Sequence, residues 1–263
     1  MELRPLGTTG ILVSPLGLGT VKLGRNQQVK YPHPFEIPDD TTTVRLLSLA
    51  HELGINLLDT APAYGNCEER LGQLLPGSRE DWVIVSKVGE FFEEGESRFD
   101  FSYATTIRTV EQSLRNLKTD YLDAVLIHSD GDDIRILNEE GVLDALCALK
   151  EAGLIRAYGM STKTVAGGLL AVDSTDIVMI TCNPAHQDEL PVLKAAEQQG
   201  KGVLIKKALQ SGHLKNGSME DAMKFIFAQQ GVSSVMVGTI TSDHLRANVA
   251  AVEKVLKDSG RKR

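Results

Sequence analysis

The stretch that decides the fold is Asn56-Leu-Leu-Asp59-Thr-Ala-Pro-Ala-Tyr64-Gly-Asn-Cys-Glu-Glu-Arg-Leu-Gly72. A short apolar run ends at Asp59, a loop with proline and glycine follows, and residues 68–75 have the composition of a helix start. This order of strand, loop and helix is the unit from which parallel α/β folds are built. In those folds the loops at the C-terminal ends of the strands carry the chemistry. The stretch therefore places a carboxylate and a nearby tyrosine where a functional site is expected.

Two further apolar runs end on an ionisable side chain, one at Lys87 and the other at His128. Neighbouring strands lie about 4.8 Å apart, so three adjacent strands would bring Asp59, Lys87 and His128 within roughly 10 Å of one another. Tyr64 can fold back into the same space. Each residue alone has an ordinary structural explanation, such as a helix cap for Asp59 or a hydrogen-bonded core position for His128. Together the four side chains indicate a site for proton transfer.

Strand and helix patterns alternate along the rest of the chain and predict eight βα units. Strands are expected near residues 16–20, 55–59, 83–87, 122–127, 155–160, 176–182, 202–206 and 234–238, and helices near 41–53, 68–75, 105–117, 141–152, 164–172, 189–199, 219–230 and 242–256. Residues 3–6 and 11–14 predict a small hairpin, and the proline-containing residues 21–40 predict a long irregular lid or wall. Eight consecutive units without a break in composition predict an α/β fold, a single (β/α)8 TIM barrel over residues 1–263.

A Rossmann domain is the alternative that the first strand raises. Leu16-Gly-Leu-Gly-Thr-Val-Lys22 carries two glycines at the right spacing, but it lacks the third glycine of the GxGxxG motif. A ribose-binding acid is also missing at the usual distance. We therefore reject this alternative in favour of the closed barrel.

Composition excludes several classes of function. The 263 residues carry 28 Lys and Arg against 35 Asp and Glu, and this net charge of −7 argues against a nucleic-acid partner. Cys67, Cys147 and Cys182 lack CxxC spacing and the six histidines lack metal-type spacing, so neither a disulfide framework nor a metal site is expected. The chain has no run of 18 apolar residues and no signal-peptide apolar region. We therefore expect a cytoplasmic protein without a membrane partner.

Several stretches closely resemble the aldo-keto reductases, and they span nearly the whole chain. They are residues 54–72, 85–89, 120–128, 153–161, 209–212 and 238–248. The resemblance implies a TIM barrel that binds an extended nicotinamide dinucleotide without a Rossmann domain. It also implies a catalytic tetrad of Asp59, Tyr64, Lys87 and His128.

The chemistry of carbonyl reduction agrees with those four residue types. Hydride addition creates an alkoxide, which needs a proton donor such as Tyr64 near its oxygen. Because a tyrosine has a pKa near 10, the Lys87 ammonium is expected to lower it, with Asp59 holding the lysine charged and in place. His128 is expected to donate a hydrogen bond that orients the carbonyl. The cofactor supplies the hydride.

The resemblance also implies a set of cofactor-binding residues. They are Gly19, Thr20, Ser161, Thr162, Lys206, Lys207, Leu209, Ser211, Gly212, Gly238, Thr239, Thr241, His244 and Asn248. Two family features differ, since Thr162 replaces the usual asparagine beside the carboxamide and Met179 replaces a glutamine on the sixth strand. Lys206 stands where an aromatic residue or arginine commonly stacks on the nicotinamide. It is either a solvated strand-end lysine or a cation that contacts the cofactor, and the same alternatives hold for Lys207.

The last unit leaves the choice of dinucleotide open. His244 stands where the family often has an arginine for the 2′-phosphate, and Arg246 lies two residues further on. A helix that starts at Ser242 still favours an anion. We expect NADP(H) as the cofactor, with NAD(H) as the alternative.

The sequence thus predicts an NADP(H)-dependent oxidoreductase that reduces small aldehydes or ketones to alcohols, as a monomer or small homo-oligomer. The side chains expected to form the pocket wall are Val21, Lys22, Leu23, Phe91, Phe92, Asp130 and His186. Two other functions stay open. One is a Schiff-base lyase that uses Lys87 as the nucleophile. The other is a non-catalytic subunit that binds NADP(H) as a redox signal.

Overall fold

Eight parallel strands close into a barrel in this computed structural model, which describes residues 1–212 and 218–260. The barrel strands are β3 (Leu16–Gly19), β4 (Leu57–Asp59), β5 (Val83–Val88), β8 (Leu122–His128), β9 (Ile155–Ser161), β10 (Ile177–Thr181), β11 (Gly202–Lys206) and β12 (Ser234–Val237). They pair in chain order, and β12 returns to pair with β3. The predicted (β/α)8 TIM barrel is therefore confirmed.

Side chains on the barrel strands alternate between the interior and the surrounding helices. In β5, Val83 and Val85 point inward, whereas Ile84 packs in the cluster shared with the helices. The interior is apolar and is filled by Leu6, Ile11, Val13, Leu57, Val83, Val85, Ala124, Leu126, Ala157, Ile177, Met179, Leu204 and Met236. Because a strand repeats every two residues, the inward-facing series in β5 continues to Lys87 at the C-terminal end.

The helices form the outer layer and bury their apolar sides against the strands. They are α1 (Asp40–Glu52), α2 (Cys67–Leu74), α3 (Tyr103–Leu117), α4 (Asp133–Glu139), α5 (Val142–Glu151), α6 (Val165–Ser174), α7 (Leu190–Gln198), α8 (Met219–Phe227) and α9 (Ser242–Gly260). Side chains cap several N-termini; for example, Asp39 accepts a hydrogen bond from the Thr42 amide at α1. The predicted helices are present, with ends that differ by a few residues.

The predicted N-terminal hairpin is confirmed and closes one end of the barrel. Strands β1 (Arg4–Pro5) and β2 (Leu12–Val13) pair antiparallel. Leu6, Ile11 and Val13 are fully buried in the interior cluster. These apolar side chains fill the end of the barrel where the strands begin. The open mouth therefore lies at the opposite end, where the strands end.

Two elements were missed by the sequence prediction. An antiparallel hairpin of β6 (Glu90–Glu93) and β7 (Glu96–Phe99) follows β5, and α4 lies between β8 and α5. The hairpin is rich in glutamate, which is depleted in strands, and its residues are mostly partly or fully exposed.

Among the described residues, no helix is long and apolar enough to cross a membrane. That residues 1–263 form one domain stays a prediction.

Candidate active site

A cavity of about 1050 Å³ opens at the C-terminal end of the barrel, and all four residues of the predicted tetrad line it. Asp59 and His128 end β4 and β8, Lys87 is the last but one residue of β5, and strand pairing brings these C-terminal ends together. Tyr64 comes from the short 3-10 helix Pro62–Tyr64 that follows β4. The four side chains therefore line one cavity, with β5 continuing one residue beyond the strand end expected at Lys87.

Lys87 and Asp59 form a buried ion pair at the floor of the cavity. The lysine Nζ lies 2.5 Å from Oδ1 of Asp59 and donates a second hydrogen bond of 2.9 Å to the Thr60 carbonyl. As whole residues, Lys87 is 2% exposed and Asp59 is 6% exposed. Two acceptors therefore hold the Lys87 amine in a fixed position.

Tyr64 presents its ring to the other two groups. The Lys87 Nζ lies 4.8 Å from the ring centre, and the His128 ring stands nearly perpendicular to it, 6.3 Å away between centres. Within the described part of the chain, the phenol oxygen makes no hydrogen bond to protein. Burial raises the pKa of Tyr64 well above 10, and the negative charge of Asp59 adds to the rise. The lowered pKa expected from Lys87 is therefore not found in the free protein.

His128 is paired with a residue that sequence reasoning did not single out. Its Nδ1 lies 2.7 Å from Oε2 of Glu90, on the hairpin that follows β5. Burial lowers the pKa of His128 below 6.5; the Glu90 contact opposes this shift and the charge of Lys87 adds to it. Burial tends to raise the pKa of Glu90, but contacts with His128, Ser97 and Arg25 outweigh it and lower the value to about 2.

Most of the residues expected to bind the cofactor line the same cavity. They are Gly19, Thr20, Ser161, Thr162, Lys206, Lys207, Leu209, Ser211, Gly212, Gly238, Thr239, His244 and Asn248. Thr241 does not reach the described cavity wall; its amide donates instead to the hydroxyl of Thr239.

Lys206 is bound to the end of β9. Its Nζ donates to Oγ of Ser161 at 2.8 Å and to the Thr162 carbonyl at 2.6 Å. Burial lowers the pKa of Lys206 to about 7, although the charge of Glu189 opposes the shift. Glu189, also missed by sequence reasoning, accepts from the Thr181 amide at 3.0 Å and from the Thr162 hydroxyl at 3.1 Å. Lys206 is thus part of a polar network, not a solvated strand end.

The cavity fits a long anionic ligand such as a nicotinamide dinucleotide. Its volume of about 1050 Å³ slightly exceeds the usual range for small-molecule sites, about 300–1,000 Å³. Gly19 leaves space in the wall, because a Cβ added there would be 3.7 Å from its nearest heavy atom, in Gly238. Consecutive positive φ angles at Gln210, Ser211 and Gly212 form a tight turn beside the cavity, in which the amides of Gln210 and Gly212 donate to the carbonyls of Lys207 and Leu209. Lys22, Lys30 and Lys207 add positive charge along the wall.

The residues expected to form the substrate wall are only partly brought together. Val21 and Lys22 line the cavity, whereas Leu23 is buried in the core. Phe91, Phe92 and Asp130 are absent from the described cavity wall, and His186 lines an adjoining cavity of about 550 Å³. Part of the wall comes instead from Tyr31 in the loop 21–40, which is irregular as predicted. Groups of three His, Cys, Asp or Glu side chains that could hold a metal ion are not found among the described residues.

Comparison with known proteins agrees with this fold. Residues 15–225 match the model of the Aldo/keto reductase family. A solved structure from Pseudomonas aeruginosa, of a protein assigned to the aldo-keto reductases, is 51% identical with a TM-score of 0.88, and covers 97% of this chain and 96% of its own. The L-galactose dehydrogenase of Arabidopsis thaliana is 28% identical over 97% of this chain and 89% of its own length. The methylglyoxal reductase YeaE of Escherichia coli is 28% identical over 83% and 81%. The chain therefore belongs to the aldo/keto reductase family and is an oxidoreductase of that family.

Proposed function

We propose that the protein uses NADP(H) to reduce small aldehydes or ketones to alcohols. The observation that carries the proposal is the buried Lys87–Asp59 pair, which lies beside the Tyr64 ring at the mouth of the barrel. It supplies a fixed positive charge next to a phenol whose oxygen has no protein partner in the described residues. A carbonyl oxygen that gains negative charge requires this combination of a proton donor and a nearby cation.

Each residue of the tetrad then has a distinct role. The bound dinucleotide supplies a hydride to the carbonyl carbon. Tyr64 donates its proton to the carbonyl oxygen, and the ammonium of Lys87 stabilises the phenolate that is left. Asp59 keeps that ammonium in place through the 2.5 Å contact. His128, whose ring stands nearly perpendicular to the phenol ring, orients the substrate oxygen.

The choice of NADP(H) rests on the positive charge of the cavity wall. Lys22, Lys30 and Lys207 lie along it and can attract the additional phosphate. Arg246 is exposed and does not belong to the described wall. Measuring the dissociation constants of NADPH and NADH by protein fluorescence tests this choice, and tighter binding of NADH would overturn it.

The reaction is tested by following NADPH absorbance with a panel of small carbonyl compounds. Tyr64→Phe is expected to reduce kcat by a factor of about 10² to 10⁴ while NADPH still binds, because only the proton donor is lost. Tyr103→Phe is the matched control, since Tyr103 is exposed at the start of α3, away from the cavity. Unchanged turnover in Tyr64→Phe would remove the phenol from the mechanism.

The two other functions make different predictions in the same assays. A Schiff-base lyase would require Lys87 as a free amine, which its contacts with Asp59 and Thr60 disfavour. Borohydride trapping of a substrate on Lys87 would support it. A redox-sensing subunit would bind NADPH tightly without turnover on any carbonyl of the panel. The cytoplasmic location and the monomer or small homo-oligomer stay predictions.

A further inference from the structure

The carboxylate of Glu90 is held in one position by two neighbours. Its Oε1 accepts a hydrogen bond of 2.6 Å from the Ser97 hydroxyl, across the β6–β7 hairpin, and lies 3.5 Å from Nη1 of Arg25. Arg25 is itself fixed, because it donates to the Ala63 carbonyl at 3.1 Å and its guanidinium lies 3.4 Å from the centre of the Phe92 ring. The second oxygen, Oε2, is therefore presented at a defined point of the cavity wall.

That second oxygen determines which nitrogen of His128 can carry a proton. Oε2 of Glu90 lies 2.7 Å from Nδ1, although off the direction of an ideal N–H bond, since Nδ1 has no partner with regular hydrogen-bond geometry. If Nδ1 carried a lone pair, two electron-rich atoms would face each other at this distance, which is unfavourable in a buried site. A proton on Nδ1 converts the repulsion into attraction. The other nitrogen, Nε2, has no hydrogen bond to any described residue and is available to the cavity.

We propose that Glu90 is a positioning residue that keeps the single proton of neutral His128 on Nδ1. Neutral His128 then offers a lone pair at Nε2, which accepts a hydrogen bond from the hydroxyl of an alcohol. Only the imidazolium has a proton at Nε2 to donate to a carbonyl oxygen. Neutral His128 therefore binds the alcohol of the proposed reaction, and protonated His128 binds the carbonyl compound.

The protonation state of His128 depends on several charges that face it. Glu90 on β6 favours the imidazolium, whereas Lys87 on β5, Lys206 on β11 and the burial of the ring favour the neutral form. Tyr64 faces the ring from the 3-10 helix after β4 but is uncharged at neutral pH, because its pKa is raised. Because burial lowers the pKa of His128 from its ordinary value, the balance shifts toward the neutral, alcohol-accepting form. This consequence for the reaction rests on the proposed function, whereas the position of the proton does not.

The position of the proton is measured directly by ¹⁵N NMR of the histidine side chains in the full-length protein. The spectrum of neutral His128 is expected to show a protonated Nδ1 and an unprotonated Nε2. In Glu90→Gln, the amide can donate to Nδ1, so the Nε2-protonated form becomes populated and the pKa of His128 falls by about 1 to 3. Glu93→Gln, an exposed position on the same hairpin, is the control and should leave both the tautomer and the pKa unchanged.

Kinetics test the consequence for the reaction. In the wild-type protein, kcat/KM for carbonyl reduction is expected to fall as the pH rises through the pKa of His128, and kcat/KM for alcohol oxidation to fall as the pH drops through it. In Glu90→Gln both breaks should move to lower pH by the shift that NMR gives, and in Glu93→Gln neither should move. A purely structural role of Glu90 would lower the rates without moving the breaks.

Two outcomes would overturn the inference. One is a wild-type spectrum in which neutral His128 carries its proton on Nε2; this result needs no variant and holds even if Glu90→Gln does not fold. The other is an unchanged pKa of His128 in a folded Glu90→Gln protein. Absence of turnover with every carbonyl and alcohol, together with the expected NMR result, would refute the proposed function and leave the position of the proton established.

Discussion

Lys87→Met separates the structural contribution of the buried ion pair from its chemistry. Methionine keeps the unbranched apolar part of the side chain but removes the ammonium. Asp59 then loses its 2.5 Å partner while it stays 6% exposed, and the Thr60 carbonyl loses a donor. A buried carboxylate without a partner is therefore expected to be the main cost of the substitution.

The size of the loss follows from the burial of both groups. Removing one partner of a buried ion pair costs about 3–5 kcal/mol, because the remaining charge is neither hydrated nor paired. With a urea m value of about 3 kcal/mol/M, the unfolding midpoint would fall by about 1 to 1.7 M. The double variant Asp59→Asn/Lys87→Met has no unpaired charge and should recover most of the loss.

Urea unfolding followed by tryptophan fluorescence measures these differences. Lys224→Met is the matched control, because Lys224 pairs with Glu220 at 2.7 Å on the exposed side of α8. Water can hydrate Glu220 once the lysine is removed. The free energy of unfolding of Lys224→Met should therefore fall much less than that of Lys87→Met. The reasoning is refuted if Lys87→Met loses no more stability than Lys224→Met, or if the double variant is as unstable as Lys87→Met.

Two further predictions concern the barrel mouth and wall. Because the pKa of Lys206 is lowered to about 7 from 10.5, the unfolded chain binds more protons than the folded chain between these values. The free energy of unfolding of the wild-type protein, minus that of Lys206→Met, should therefore increase between about pH 7 and about pH 9. Urea unfolding at several pH values measures this difference, and a difference that does not change with pH would contradict the prediction. A Cβ at Gly159 would lie 2.0 Å from the Ile177 carbonyl oxygen. Gly159→Ala should therefore lower the free energy of unfolding by about 1–3 kcal/mol. Gly19→Ala, whose Cβ would meet only contacts of 3.7 Å or longer, is the control, and equal losses would show that the clash is relieved without cost.

The barrel and the tetrad could be predicted because both depend on local, repeated patterns. An apolar strand of alternating inward and outward residues can be recognised in a single segment, and so can its last residue. Once the strands are parallel and adjacent, their C-terminal ends meet at the same edge. Asp59, Lys87 and His128 therefore converge for the reason that their sequence positions suggested, and the four residues line one cavity.

The partners of these residues could not be predicted in the same way. Glu90 belongs to a glutamate-rich segment that resembles a solvated loop, and it meets His128 only because β6 and β7 fold back over the mouth. Arg25 approaches Glu90 from a loop without helix or strand beyond its first turn. Glu189 precedes α7 and reaches Thr162, which is distant in the chain. One feature of the sequence does point to Glu90. It follows β5 directly, and β5 ends at the mouth of the barrel, so a side chain there can reach the site.

The sequence by itself determined the order of strands and helices, the closed barrel that follows from eight such units, and the ionisable side chains at the strand ends. These properties follow from hydrophobic periodicity, which is encoded residue by residue. Only the tertiary structure decided the electrostatic state of the site: the raised pKa of Tyr64, the lowered pKa of Lys206, and the contact of Glu90 with His128. Those properties depend on burial and on distances between segments far apart in the chain, and the free energy of a charge changes steeply with both.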